Sequence, residues 1–358
     1  MQQWHLDVQR ELPSHIVATL SYVGSKGTHL GRQRDLNQLQ PLPASQNPYQ
    51  SGQTISTADC DSLVRIGDPD VHGTVNGQPV SGQTAINLQT ACGNTADPYR
   101  PFYGLHHITR LEDKASSIYH ALQFSARKTV GALSLSVAYT YSHSIDDSSD
   151  RYNADFVNSY DPSAARATSS FDQRHLLNIS YVYDLPFFKK PGLTHTALGG
   201  WQWSGIIAYS TGTPLNITNG TDIGDNAGVG NGAGTGSYPD QIGNPRANVP
   251  SPSQVTGPQY AGFFYNPAAY GVPTGLTFGT VGRNSLVGPS RTNFDMALFK
   301  HFAIKESMAF EFRLEAFNVF NHTQWNPPGS TSLGNSDFFE ISSAHNPRIV
   351  QLGAKFIF

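Results

Sequence analysis

The sequence predicts an all-β protein, an antiparallel up-and-down meander of about nine long strands. Three observations carry this expectation. Period-2 alternation of apolar and polar residues recurs over segments of about ten residues. Helical periodicity is almost absent. The connections between segments alternate strictly between short and long.

The strands are expected near 2–11, 15–24, 116–128, 132–143, 174–184, 200–211, 292–300, 307–320 and 348–358. The first sets Trp4, Leu6 and Val8 against His5, Asp7 and Gln9, and the second sets Ile16, Ala18, Leu20 and Tyr22 against Val17, Thr19 and Ser21. The third carries Ile118, Leu122 and Phe124 on one side. The fourth is the cleanest, with Leu133, Leu135, Val137, Tyr139 and Tyr141 opposing Ser134, Ser136, Ala138 and Thr140. In the fifth, Leu177, Ile179, Tyr181 and Tyr183 oppose Asn178 and Ser180; the sixth groups Trp201, Trp203, Ile207 and Tyr209. The seventh places Phe294, Met296 and Leu298 against Asn293 and Asp295, and the eighth Met308, Phe310, Phe312 and Leu314 against Glu311, Arg313 and Glu315. The ninth closes the chain, with Val350, Leu352, Ala354, Phe356 and Phe358 on one side.

Connections one–two, three–four and seven–eight are tight, and five–six is moderate. The others are long and rich in Gly, Pro, Ser, Asn and Asp, which is unusual inside compact domains. Such sorting suits strands that cross a slab, with brief turns on one side and large loops on the other. Ten residues at about 3.3 Å rise, tilted about 40°, span roughly 25 Å, the height of the apolar band of an outer-membrane barrel. Tyr and Trp gather toward segment ends, as interfacial girdles do. Nine crossings with long loops outside leave Phe358 on the short-turn side. The competing reading is a secreted β-rich adhesin or carbohydrate binder whose apolar sides stack on one another; it gives no reason for the parity of the loops.

Composition agrees with strands that are apolar on one side and uncharged-polar on the other. Charged residues make up 14% of the chain, hydrophobic residues 38% and aromatics 11%, against roughly 25% charged in an average domain. A net charge of −3, with no basic cluster interleaved with aromatics, argues against nucleic acid as a partner. No window approaches the ~20 apolar residues of a membrane helix. The opening "MQQWHLDVQREL" lacks the layout of a secretory signal, so the chain is read as a fragment.

The stretches "QQWHLDVQRELPSHIVATLSYVGSKGTHL", "FDQRHLLNISYVYDLPF", "GWQWSGIIAYSTGTPLNI", "FEFRLEAFNVFNHTQWNPP" and "NPRIVQLGAKFIF" resemble the C-terminal barrel of Oar-like TonB-dependent receptors of the bacterial outer membrane. The resemblance implies a barrel of about 22 strands, of which these nine form the last part, and energy-coupled uptake of an unidentified ligand. It implies partners as well: outer-membrane lipid, a plug domain, and TonB reached through an N-terminal part absent from these residues. Leu352, Phe356 and Phe358 match the terminal signal read by the barrel-assembly machinery. The charged residues Asp295, Glu311, Arg313 and Glu315 are expected to face the lumen, where they form cross-strand or wall-to-plug ion pairs.

No constellation points to an enzyme or to a cofactor. The run "NGTDIGDNAGVGNGAGTGSYPD" has no phosphate-loop register and reads as a flexible outer loop. Asp68, Asp70 and His72, or Asp146, Asp147 and Asp150, have the look of calcium loops, but Pro79 stands where the closing Glu belongs. Solvated acidic turns are the better reading. The thirteen histidines lack zinc spacing, and His106 and His107, being adjacent, would face opposite ways in a strand. Cys60 and Cys92 are the only cysteines and share one long connection. Outside the cell they are expected to be bridged, two unlinked thiols being the alternative.

Overall fold

Nine antiparallel strands lie side by side in chain order: β1 Gln2–Leu12, β2 Ile16–Asp35, β3 Thr109–Lys128, β4 Leu133–Asp146, β5 His175–Asp184, β6 Trp201–Ser210, β7 Arg291–Lys305, β8 Met308–Phe317 and β9 Ile349–Ile357. The computed structural model describes residues 1–67, 70–152, 157–188, 192, 194, 198–220, 224–230, 237–250, 262–305 and 308–358. Within that set β1 and β9 are the edges of the sheet.

The register keeps the two sides separate across the whole meander. Leu6, Tyr22, Leu122, Tyr141 and His175 stand opposite one another along one row. Leu133, Tyr183, Trp203, Leu298, Leu314 and Leu352 form another. One residue out of phase, Glu11, Val17, Arg127, Ser136, Ser180, Ile206 and Asp295 make a mostly polar row. Partnered residues share a face, so one side is a wall of Leu, Val, Tyr and Trp and the other is dominated by hydroxyl, amide and charged groups.

Nothing in the described protein covers the apolar wall. Leu6 is 66% exposed, Val8 62% and Leu352 69%. The three buried hydrophobic clusters draw on loop residues, among them Leu39, Tyr49, Leu88, Ile217, Tyr270, Leu276 and Phe339, and on none of the nine strands. A layered protein would bury its sheet and leave its loops wet; here the arrangement is reversed. Aromatics band the apolar wall at both ends: Trp4, Tyr22, Tyr139, Tyr141 and Tyr209 toward the loops, and Tyr181, Tyr183, Trp201, Trp203 and Phe356 toward the turns. The Tyr181 and Trp203 rings meet edge-on at 5.0 Å. One cation on this side at the turn end, Lys300, is shielded there. Its ammonium donates to the Gly199 carbonyl and lies over the Trp201 and Phe302 rings at 5.5 and 4.9 Å.

Strands β2 and β3 run well beyond their expected limits of residues 24 and 116, pairing from Ile16↔Lys128 up to Asp35↔Thr109 across irregularities at Gly27–Leu30 and Leu30–Gly31. The apolar alternation stops near Gly24, and the upper part of the pair carries charged residues, among them Arg32, Asp35 and Glu112, that are buried. β8 ends at Phe317, short of the expected 320, because Asn318 turns into the left-handed region (φ 48°). Asparagine tolerates that conformation better than other non-glycine residues.

Between β2 and β3 the chain folds into helix α1 (Thr57–Asp61), three short strands (Val64–Gly67, Asp70–Val75 and Gln78–Ser81) and helix α2 (Gly82–Ala91). Ser56 and Asp59 cap α1 reciprocally: the Ser56 hydroxyl accepts from the Asp59 amide (3.1 Å), and Asp59 accepts from the Ser56 amide (3.0 Å). Cys60 at the end of α1 is joined by a disulfide to Cys92 at the end of α2, with Cα atoms 5.6 Å apart.

The glycine-rich run is not a loose loop over its described residues 224–230. Ala227 and Val229 are buried with Leu39 and Ala96, and Gly228 has a φ of +63° at a point where any side chain would collide with the Asn87 backbone. Glycine serves close approach here rather than mobility. Residues 221–223 and 231–236 of that run, and Asp68, lie outside the described residues.

Candidate functional site

The polar wall and the loop layer above it form the site. The wall carries three successive hollows, each lined from several strands. The middle hollow, of about 630 Å³, is bordered by Arg127, Ser136, Ser180, Ser204, Asp295, Phe299 and Glu315. Toward the turns a hollow of about 660 Å³ opens beside Asp184, Gln202, His301, Glu311 and Arg313. Toward the loops one of about 610 Å³ opens beside Arg291, Asn293, Gln324 and Gln351. The three are joined by shared residues: Asp295 and Phe317 border both upper hollows and Phe299 both lower ones. Hydroxyls, amides and isolated charges share these hollows with apolar residues such as Ile206, Phe299 and Phe317, which dominate the middle one.

Three of the four expected wall charges are held by neighbours on the same side. Arg313 pairs with Glu311 and lies over the Phe299 ring at 5.5 Å, while Glu315 accepts from the Gln351 amide at 2.5 Å. Asp295 does not join them. Phe299 is the residue opposite Arg313, which places Asp295 four residues up the strand, and its carboxylate instead accepts from the Asn318 amide at 2.9 Å. A cross-hairpin Asp295–Arg313 pair is thus excluded by register.

At the end of the chain, Leu352 stands opposite Leu314 and Phe356 opposite Phe310 on the apolar side. Phe358 lies past the last paired residue, 92% exposed.

The loop layer is fastened by buried polar groups that sequence reasoning passed over. Arg283, 3% exposed, donates to Asp146 and to the Ala165 carbonyl (2.9 Å). Asn37, fully buried, donates to the carbonyls of Phe102, Leu105 and His106 and accepts from the Phe102 amide. Gln38 is bonded to Val157 and Ser159. Asp35 holds His107 at 2.5 Å, and Arg32 and Arg34 flank the buried Glu112. A lone arginine in the glycine-rich "TVGRNSLVG" was the one visible signal, since a charge among apolar and small residues needs a partner if it is buried.

The acidic turn at Asp146 and Asp147 is accordingly not solvated. Asp146 is paired with Arg283, and Asp147 with Arg166 (2.9 Å) and the Ser116 amide (2.9 Å); Asp150 stays exposed. In the other acidic loop the exposed Asp70 meets the half-buried His72 at 2.7 Å. Among the described residues no group of three or more His, Cys, Asp or Glu is placed to hold a metal ion. Burial raises the Tyr270 phenol to about 12, with Tyr265 adding to the effect. The Tyr49 phenol is pushed up by burial and by Asp59, to which it donates (3.1 Å).

A family model for the outer membrane beta barrel domain matches residues 1–351. No curated protein matches the chain. Among solved structures the chain is similar to the outer membrane transporter YddB from Escherichia coli. Identity is 10% and the TM-score 0.42, over 99% of this chain and 32% of that one. It is also similar to the FpvAI–pyocin S2 complex, at 10% identity and a TM-score of 0.34, over 99% of this chain and 26% of that one. The chain thus spans less than a third of the length of either.

Proposed function

Because the chain belongs to the outer membrane beta barrel domain family, and so resides in the outer membrane, we infer that it is a wall segment of a receptor that takes up a ligand by energy coupling. The observation that carries this reading is the two-sidedness of the sheet. Its apolar side is bare and girdled with aromatics, its polar side carries three neighbouring hollows, and a packed loop layer lies over one end. The bare side belongs against lipid. The hollows suit a lumen, and the loop layer suits first capture.

A sheet with two free edges cannot rest in hydrocarbon, because every backbone amide and carbonyl there needs a partner. β1 and β9 therefore close against further strands of the whole receptor. The wall charges Glu311, Arg313, Glu315 and Asp295 then face a plug, and release of the plug by TonB opens the path past them. Leu352, Phe356 and Phe358 present the terminal strand to the barrel-assembly machinery. The protein's work is binding and passage, with no covalent step.

The test uses the intact gene product in its own cell. Strains lacking this gene, or lacking TonB, are grown across a panel of limiting iron chelates, oligosaccharides and peptides. The reading expects at least one source whose use is lost in both strains and restored by the intact gene only where TonB is present. Restoration that is indifferent to TonB contradicts energy coupling.

A further inference from the structure

At the loop end of the apolar wall, strands β1 to β4 bring together a cation, two imidazoles and two aromatic rings. We propose that this cluster is a binding site for the phosphorylated headgroup of the glycolipid that forms the outer leaflet. It rests on the long loops being external and is independent of any uptake activity.

The register fixes the members. Trp4 and His120 both stand opposite Gly24, and His120 in turn stands opposite His143 on β4. One step higher on the same side, Lys26 stands between Gln2 and Ile118, a diagonal neighbour of His120 at roughly 7–8 Å. The Trp4 indole fills the space that a side chain at Gly24 would need. The Tyr22 ring is stacked on His120 (centroids 6.1 Å, 15° between planes), with its hydroxyl 2.8 Å from Nδ1. When that hydroxyl donates to Nδ1, the ring carries its proton on Nε2, which bonds no group among the described residues.

The charge pattern selects an anion. Lys26 is exposed, and no carboxylate among the described residues pairs with it; Lys114 is exposed in the bulged part of the same strand pair. Asp172, the carboxylate facing this cluster from the β4–β5 connection, is buried. It is already engaged by the Ser144 amide (2.6 Å), His143 (3.5 Å) and Arg174 (3.5 Å). The exposed Asp113 lies beside Lys114 in sequence. Below the cluster the same side is purely apolar through Leu6, Val8, Leu20 and Leu122, an uninterrupted bed for acyl chains. A ligand with acyl chains downward and a phosphate at the girdle meets hydrocarbon, an aromatic platform, an N–H donor and an ammonium in that order. Cations just beyond a hydrocarbon boundary are attracted to anionic lipid, and the attraction fades within a Debye length.

The experiment measures glycolipid bound to the purified intact receptor in detergent, using rough lipopolysaccharide as the probe. Lys26→Glu is expected to lower bound lipopolysaccharide about fivefold or more, and Lys26→Glu with His120→Ala to bring it to background. Arg10→Gln, on the same side near the turns, should leave it unchanged. Each variant must keep the heat-shifted mobility of the parent, so that loss of fold is not read as loss of binding. Dephosphorylated lipopolysaccharide should bind as weakly to the parent as intact lipopolysaccharide does to the double variant. Equal binding by parent and Lys26→Glu overturns the proposal, as does equal binding of the dephosphorylated probe. Full competition by phosphatidylglycerol vesicles or by inorganic phosphate overturns it too, reducing the cluster to a general anion contact.

Discussion

Arg283 and Asp146, 137 residues apart in the chain, form an ion pair in which both side chains are almost wholly buried. The pair ties the 211–290 connection to the top of β4, and the same guanidinium bonds the Ala165 carbonyl. The 211–290 connection and the connection that follows β4, which carries Ala165, are thereby held as one layer.

Removing one partner strands the other charge without solvent, which costs about 3–5 kcal/mol. Arg283→Met should therefore loosen the loop layer by that amount while the barrel stays intact. Hydrogen exchange checks this: amides near Asp146, Ala165 and Asn284 should exchange far faster in the variant, while those in the middle of β2 and β3 stay unchanged.

The Cys60–Cys92 bridge closes a 32-residue separation. In the chain-entropy model such a closure contributes roughly 3–4 kcal/mol. Replacing both cysteines by serine should lower the temperature at which protease first cuts between α1 and α2. Heat-shifted mobility of the barrel, which depends on the sheet, should be unaffected.

Tyr270 gives the loop layer an alkaline limit. Its folded pKa, near 12, exceeds the ordinary phenol value of about 10. The neutral form is favoured on folding, so its contribution is fully present below about pH 10 and is lost as pH rises to about 12. Susceptibility of residues 262–290 to protease should climb through that window, in step with phenolate absorbance. Tyr270→Phe should flatten the dependence, because the apolar ring contacts with Phe338 and Phe339 (6.0 and 5.5 Å) persist.

The terminal strand offers a test of assembly. Deleting Phe358, which lies beyond the last paired residue, should leave the sheet register unchanged in a folded molecule. If the assembly machinery reads this end, the deletion should also reduce several-fold the amount of protein reaching the outer membrane. Quantifying heat-shifted protein in membrane fractions, with Phe358→Leu as the milder substitution, checks both.

The sheet was legible because two environments imprint two sides. Leu133 to Tyr141 alternates with Ser134 to Thr140 wherever one side must meet hydrocarbon and the other a polar space. Where that contrast ends the pattern ends, which is why the upper halves of β2 and β3 were invisible although Arg32, Arg34, Glu112 and Arg110 pair there in register. The loop layer was opaque for a different reason. Its contacts join Gln38 to Val157 and Asn87 to Gly228, partners 119 and 141 residues apart, and nothing local marks an amide that will be buried. The glycines around Gly228 suggested mobility, whereas they permit a backbone to rest on α2. Of the wall charges, their side was readable from spacing alone; which residue Asp295 would meet depended on register across the β7–β8 hairpin.

The most direct test of the claim that the apolar wall meets lipid is a comparison of two adjacent positions on β4. Leu135 stands in the apolar row opposite Tyr181, and Ser136 in the polar row opposite Ser180. Folding into lipid bilayers, followed by denaturant titration, should show Leu135→Arg destabilised by about 2–4 kcal/mol and Ser136→Arg close to the parent. Equal losses at both positions, or a loss only at Ser136, would contradict the account.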